Sequence, residues 1–114
     1  MRRLKKENCC VLPLVLQGKW FNMIATGGKE EEYRTSEKVL GQIDKWLGHY
    51  LINGGELVVE LFLGYQKDRP KMAFIAEIPK WREVAKHPEW GEPNGPHYVI
   101  PLGEIVELVS ATHG

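Results

Sequence analysis

Cysteine is nearly absent from these 114 residues, and the two present, Cys9 and Cys10, are neighbours. A bridge between adjacent residues is strained and closes no useful loop, so no disulfide framework is expected, and reduced thiols fit a cytoplasmic protein. No run of 18 apolar residues is present to span a bilayer. Net charge is missing too: 15 Lys and Arg balance 15 Asp and Glu. That balance argues against a chain that coats nucleic acid or anionic membrane through bulk charge, while leaving room for a local basic site. Serine is limited to Ser36 and Ser110 and aspartate to Asp44 and Asp68. Neither serine sits in a nucleophile-elbow context, and nothing marks a triad. The four histidines, His49, His87, His97 and His113, show none of the spacings that make a zinc site. Gly27-Gly28-Lys29 lacks the glycine spacing and the following Ser/Thr of a phosphate-binding loop. No residue beside the vicinal cysteines supplies a clear means of lowering a thiol pKa. Neither a metal nor a cofactor is therefore expected.

What is present is ordinary for one soluble globular domain: 43% apolar and 26% charged residues, in a chain long enough for a single core. The start, MRRLKKEN, reads as a basic tail over residues 1–8, with a domain over 9–110. The apolar run behind it is short, holds Pro13 and lacks a cleavage pattern, so it is read as a strand rather than a leader. VLPLVL predicts a strand with Pro13 at an edge or near its start. Trp20, Phe21 and Ile24 mark the apolar face of a short helix that ends at Gly27. Ser36 caps a second helix carrying Val39, Leu40, Ile43, Trp46, Leu47 and Tyr50, which Asn53-Gly54-Gly55 breaks. ELVVELFLGY and KMAFIAEI predict an antiparallel pair joined by QKDRP. A Pro-rich stretch over 79–96 reads as loop with a helical turn near WREVAK, and HYVIPLGEIVELV as one or two closing strands. The pattern is α+β, with a curved or barrel-like antiparallel sheet.

The stretch TGGKEEEYRT, residues 26–35, concentrates charge between the first helix and the second. Period-2 alternation sets Lys29, Glu31 and Tyr33 against Glu30, Glu32 and Arg34. Read as G-x-K-x-x-E-x-R, the stretch uses Gly27, Lys29, Glu32 and Arg34. Together with PLVLQGKWFNMIATGGKEEEYR, the hairpin LFLGYQKDRPKMAFIAEI and the closing HYVIPLGEIVEL, this pattern resembles the ASCH domain family of the PUA-like superfamily, in its single-domain bacterial or phage type. The resemblance spans about residues 11–109. It implies a small PUA-like mixed or antiparallel β-barrel with flanking helices, and a cleft where the motif meets the central strands. It also implies an association with RNA. Some family members hydrolyse N4-acetylcytidine with a lysine, a threonine three residues later and a strand glutamate, and others are linked to RNA cleavage. By position the lysine falls on Lys29 and the strand glutamate on Glu77, while Glu32 stands where those hydrolases carry threonine.

The expectation is a cleft lined by Lys29, Glu32, Arg34 and Glu77, approached over Gly27 and Gly28, that recognises RNA or a nucleoside-like ligand, with Glu30 and Glu31 as solvated flank. A lysine beside carboxylates keeps its proton and serves as an anion or carbonyl clamp. Glu32 or Glu77 is then the general base if a water is activated. Arg34 has a structural reading of equal weight, pinning strand to hairpin through Glu77 or a backbone carbonyl. Tyr65, Lys67 and Arg69 on the hairpin turn are phosphate candidates or simply a wet turn. Trp20 and Trp46 are assigned to the core, while Trp81 and Trp90 are candidates for stacking on a base or for a packing lid. Hydrolysis of an acylated nucleoside or of RNA, and a protein-interaction module with a structural motif, remain the alternatives to binding.

Overall fold

The computed structural model describes residues 1–110; His113 lies outside the described residues. Strands β1 (Arg2–Lys5), β2 (Cys9–Leu16), β3 (Glu31–Arg34), β4 (Glu56–Leu63), β5 (Lys71–Ala76), β6 (Lys80–Arg82) and β7 (His97–Val109) form a mixed sheet. Helices α1 (Gly18–Ala25) and α2 (Glu37–Asn53) accompany it. The class is α+β, with sheet order β1-β7-β5-β4-β2 and with β3 and β6 both attached to β7; the sheet is not closed.

Alternation explains how β2 packs. Cys10, Leu12, Leu14 and Leu16 are buried, while the residues between them are less so. These four meet Leu57, Val59 and Leu61 of β4, Phe21 and Ile24 of α1, and Ile43 and Trp46 of α2 in one core. Trp46 satisfies its indole N–H on the Cys10 carbonyl at 2.8 Å, which fixes α2 across the start of β2. Ser36 caps α2 by accepting the Val39 amide, and Gly54 ends it at φ 71°. The β4–β5 hairpin pairs antiparallel as its sequence predicts, from Val58↔Ile75 to Phe62↔Lys71. In contrast β2 runs parallel to β4, and β1 parallel to β7, so the sheet is mixed.

Two local expectations are corrected. The basic N-terminal segment is not a free tail: Arg2–Lys5 pair in register with Val106–Val109, and Arg2 and Arg3 meet Glu104 and Glu107 at 3.1 and 3.2 Å. Acidic side chains on β7 neutralise the charges that made the segment read as solvated. The stretch WREVAK is not a helical turn, because β7 captures Lys80–Arg82 as a strand, Trp81 opposite Tyr98. The helical turn falls later, as a 3-10 turn over Pro88–Trp90.

Candidate functional site: a buried ion cluster in an open cleft

β3 positions the site. Helix α1 ends with Gly27 at φ 83°, its amide on the Ile24 carbonyl at 3.1 Å and the Gly28 amide on Met23 at 2.8 Å. That pair of bonds is a left-handed helix stop, a backbone shape that glycine adopts without steric cost. It turns the chain back so that Lys29 enters the protein instead of extending into water; only 3% of Lys29 is exposed. Register does the rest. Glu32 opposes Ile100 and Arg34 opposes Tyr98 on β7, so both side chains rise from the same face of the sheet.

The Lys29 ammonium donates to Glu32 Oε1 at 2.9 Å, and Arg34 Nη2 donates to Glu32 Oε2 at 2.7 Å. One carboxylate thus holds two cations, one on each oxygen. Lys29 also lies 4.7 Å from the Trp20 ring centre and 5.2 Å from that of Tyr33, where aromatic faces attract a desolvated cation. Arg34 spends Nη2 a second time on the Val15 carbonyl at 3.0 Å. Its Nε, however, is buried with no hydrogen-bond partner, the single such side-chain atom among the described residues. These groups line a cleft of about 450 Å³ between α1, β3, the start of α2 and the 91–93 loop, with Trp20 and Pro93 among its walls.

The opposite alternation of β3 builds a second cluster. Arg82 Nη1 donates to Glu31 Oε1 at 3.1 Å and to Glu92 Oε2 at 2.8 Å. Glu92 Oε1 accepts the amides of Lys86 and His87 at 2.7 and 2.8 Å, and Oε2 also meets His97 Nε2 at 2.6 Å. Burial pushes the Glu92 carboxyl upward, but Arg82, the His87 amide, His97 and the Lys86 amide outweigh it and hold the group down at about 2. The other ring nitrogen of buried His97 faces the Gly95 carbonyl at 2.6 Å. Tyr33 touches both clusters: its ring lies against Lys29 and edge-on to His97, and its hydroxyl donates to Glu31 at 2.9 Å. Burial first, then that bond, raise the Tyr33 hydroxyl above its usual range.

The structure therefore brings Lys29, Glu32 and Arg34 together, with Gly27 and Gly28 forming the turn behind them. It does not bring Glu77, and that expectation is corrected. β5 ends at Ala76, Glu77 is exposed, and it borders a separate hollow with Glu30, Glu31, Lys80 and His87. Of the two partners expected for Arg34, Glu77 is replaced by Glu32, while the backbone carbonyl is met in that of Val15. Tyr65 and Arg69 lie at the hairpin turn, away from the cleft, with Arg69 on the Gly64 carbonyl at 2.7 Å and over the Phe62 ring. Trp81 is 53% exposed and stands edge-on to Tyr98, outside the cleft lining. Trp90 stacks on His87 at 4.0 Å. The burial expected for Trp20 is only partial, because one side of its ring is a cleft wall. Glu31, expected as solvated flank, is instead drawn inward by Arg82, while Tyr33, Gly91 and Glu92 are not marked as site residues by the sequence. For Gly91 the glycine in a Pro-rich loop was a usable signal; for Glu92 there was none.

Among the described residues, no group of His, Cys, Asp and Glu could hold a metal ion, and no helix is long and apolar enough to cross a membrane. Comparison with known proteins finds no matching family model, no matching curated protein and no matching solved structure.

Proposed function

We propose that the cleft is a ligand site for a nucleoside or a short stretch of RNA, in a cytoplasmic ASCH-type domain whose open sheet is a variant of the PUA-like barrel. The observation that carries this reading is Arg34 Nε, a buried donor without a partner in a cleft that Lys29 also lines. An unsatisfied buried N–H costs about 1–3 kcal/mol. A small shift of the guanidinium presents it to the cleft, and a ligand acceptor that then meets it recovers that cost. Both Glu32 oxygens already hold cations, so the cleft presents surplus donors beside an aromatic wall. That suits a flat, acceptor-rich ligand such as a pyrimidine base with its ring carbonyl and nitrogen. The volume, about 450 Å³, falls within the range of small-molecule sites.

Binding is favoured over hydrolysis. With Glu77 elsewhere, Glu32 is the remaining carboxylate, and its two oxygens organise Lys29 and Arg34 rather than face a water. Calorimetric titration with cytidine, N4-acetylcytidine and a tetraribonucleotide tests the reading, with chromatography of each mixture after incubation. Saturable binding that falls at least tenfold in Arg34→Gln, with every ligand recovered intact, is expected. Conversion of N4-acetylcytidine to cytidine would establish the hydrolase instead, and no binding of any ligand would overturn both.

A further inference from the structure

β3 and β6 lie on opposite edges of the first half of β7, and all three strands align at one row: Arg34 opposes Tyr98, and Tyr98 opposes Trp81. Directly paired residues of antiparallel strands put their side chains on the same face. The row therefore runs from the cleft, through Tyr98, to Trp81, across two strand spacings or roughly 10 Å. Tyr98 is anchored, its hydroxyl donating to Asp44 of α2 at 2.8 Å. Its ring meets that of Trp81 at 5.2 Å and 86°, an edge-to-face contact that holds the indole in place. The indole nevertheless stays more than half exposed, on a strand of only three residues. Ile78 and Val84, on either side of that strand in the chain, are 57% and 71% exposed.

Resting on the nucleoside reading of the cleft, we propose that Trp81 is the stacking platform for the base next to the one held at Arg34. The ligand is then a single-stranded oligoribonucleotide rather than a free nucleoside. The cleft supplies donors for one base, and the row supplies an aromatic surface at the distance of a neighbouring nucleotide. Stacking on an aromatic face is tolerant of sequence, and it is itself an uncharged contact, open to a chain of zero net charge. Phosphate contact is correspondingly slight. With Lys29 and Arg34 committed to Glu32 and the base, Lys19, over the Trp20 ring at 4.7 Å, is the exposed cation beside the cleft. One neutralised phosphate gives a salt slope of about −0.7 on single strands.

Equilibrium titrations of cytidine, a diribonucleotide and a tetraribonucleotide against the wild type, Trp81→Ala and Trp81→Phe test this. Circular dichroism serves as the control for folding. The oligonucleotides are expected to bind wild type more tightly than cytidine does. Trp81→Ala should weaken the tetranucleotide by between about fivefold and a hundredfold, the range set by loss of one base–aromatic stack, with most of the affinity kept in Trp81→Phe. Cytidine binding as tightly as the tetranucleotide would overturn the proposal while leaving the cleft reading intact. Unchanged tetranucleotide affinity in Trp81→Ala would do the same; if that variant also lost a concentration-dependent rise in mass, the face would belong to a protein contact. Failure of wild type to bind cytidine or either oligonucleotide would overturn both.

Discussion

Two clusters of charge grow from the alternating residues of one four-residue strand, and they differ in closure. On one side Glu31 joins Arg82, Glu92 and His97, with the Glu92 and His97 side chains 0% exposed and every buried side-chain polar atom partnered. On the other, Glu32 joins Lys29 and Arg34 in a cleft, and Arg34 Nε is left without a partner. Both bury ion pairs, at a desolvation cost that only good geometry and further hydrogen bonds offset. The sealed cluster meets that condition internally, so its role is to hold the loop 83–96 on β7. The open one does not meet it without a ligand. Completeness of hydrogen bonding, more than burial or charge, separates the structural cluster from the one proposed to bind a ligand.

The contrast is broken most forcefully at Glu92. Glu92→Ala removes the acceptor for Arg82, His97 and two backbone amides, and a loss of about 3–5 kcal/mol in urea unfolding is expected, as for other broken buried pairs. If the loss were under 1 kcal/mol, the sealed cluster would not be what holds the loop. Acid provides the same test reversibly. The folded value of about 2 lies below the ordinary 4.5, so the stabilisation is fully present above pH 4.5 and is lost as pH falls from there towards 2. The shift corresponds to about 3 kcal/mol. Unfolding free energy measured across that window should fall by this amount in the wild type, and the Glu92→Gln profile should be flatter.

Gly91 links the two regions. It adopts φ 81°, and a Cβ there would stand 2.6 Å from the Trp20 ring, the ring that Lys29 lies over. Gly91→Ala should cost about 1–2 kcal/mol from the left-handed backbone alone. By displacing Trp20 it should also weaken ligand binding severalfold, measured by calorimetry. Retained affinity with lost stability would mean that the cleft does not depend on the loop. The smallest effect is expected at Glu77, exposed and outside the cleft. Glu77→Gln should change neither stability, within about 0.5 kcal/mol, nor affinity; a tenfold change in affinity would return it to the site.

Much of the frame is legible in the sequence because it rests on local chemistry. The Ser36 cap, the Gly27 and Gly54 stops and the alternating apolar strands are properties of neighbours along the chain. So is the face shared by Glu32 and Arg34. What is not legible depends on pairing across the chain. β1 is a strand because β7 offers it a parallel partner and a core for Leu4, with Glu104 and Glu107 meeting its arginines. Glu77 lies outside the site, just past the register shift between Phe74 and Ala76 in the β5–β7 pairing. The Glu92 cluster joins residues from Glu31 to His97 through the register of β3, β7 and β6, which no local pattern encodes. Trp20 reads as core from its helical spacing, yet the cleft opens on one side of its ring.

The most direct test is a comparison of two arginine side chains in one experiment. The Nε–H resonances of Arg34 and Arg82 can be followed by ¹⁵N NMR while a tetraribonucleotide is added. Arg34 Nε–H is expected to shift as the ligand saturates, while Arg82 Nε–H stays where it was. A shift at Arg82 with Arg34 unmoved would contradict it, by placing the ligand on the cluster that the structure closes.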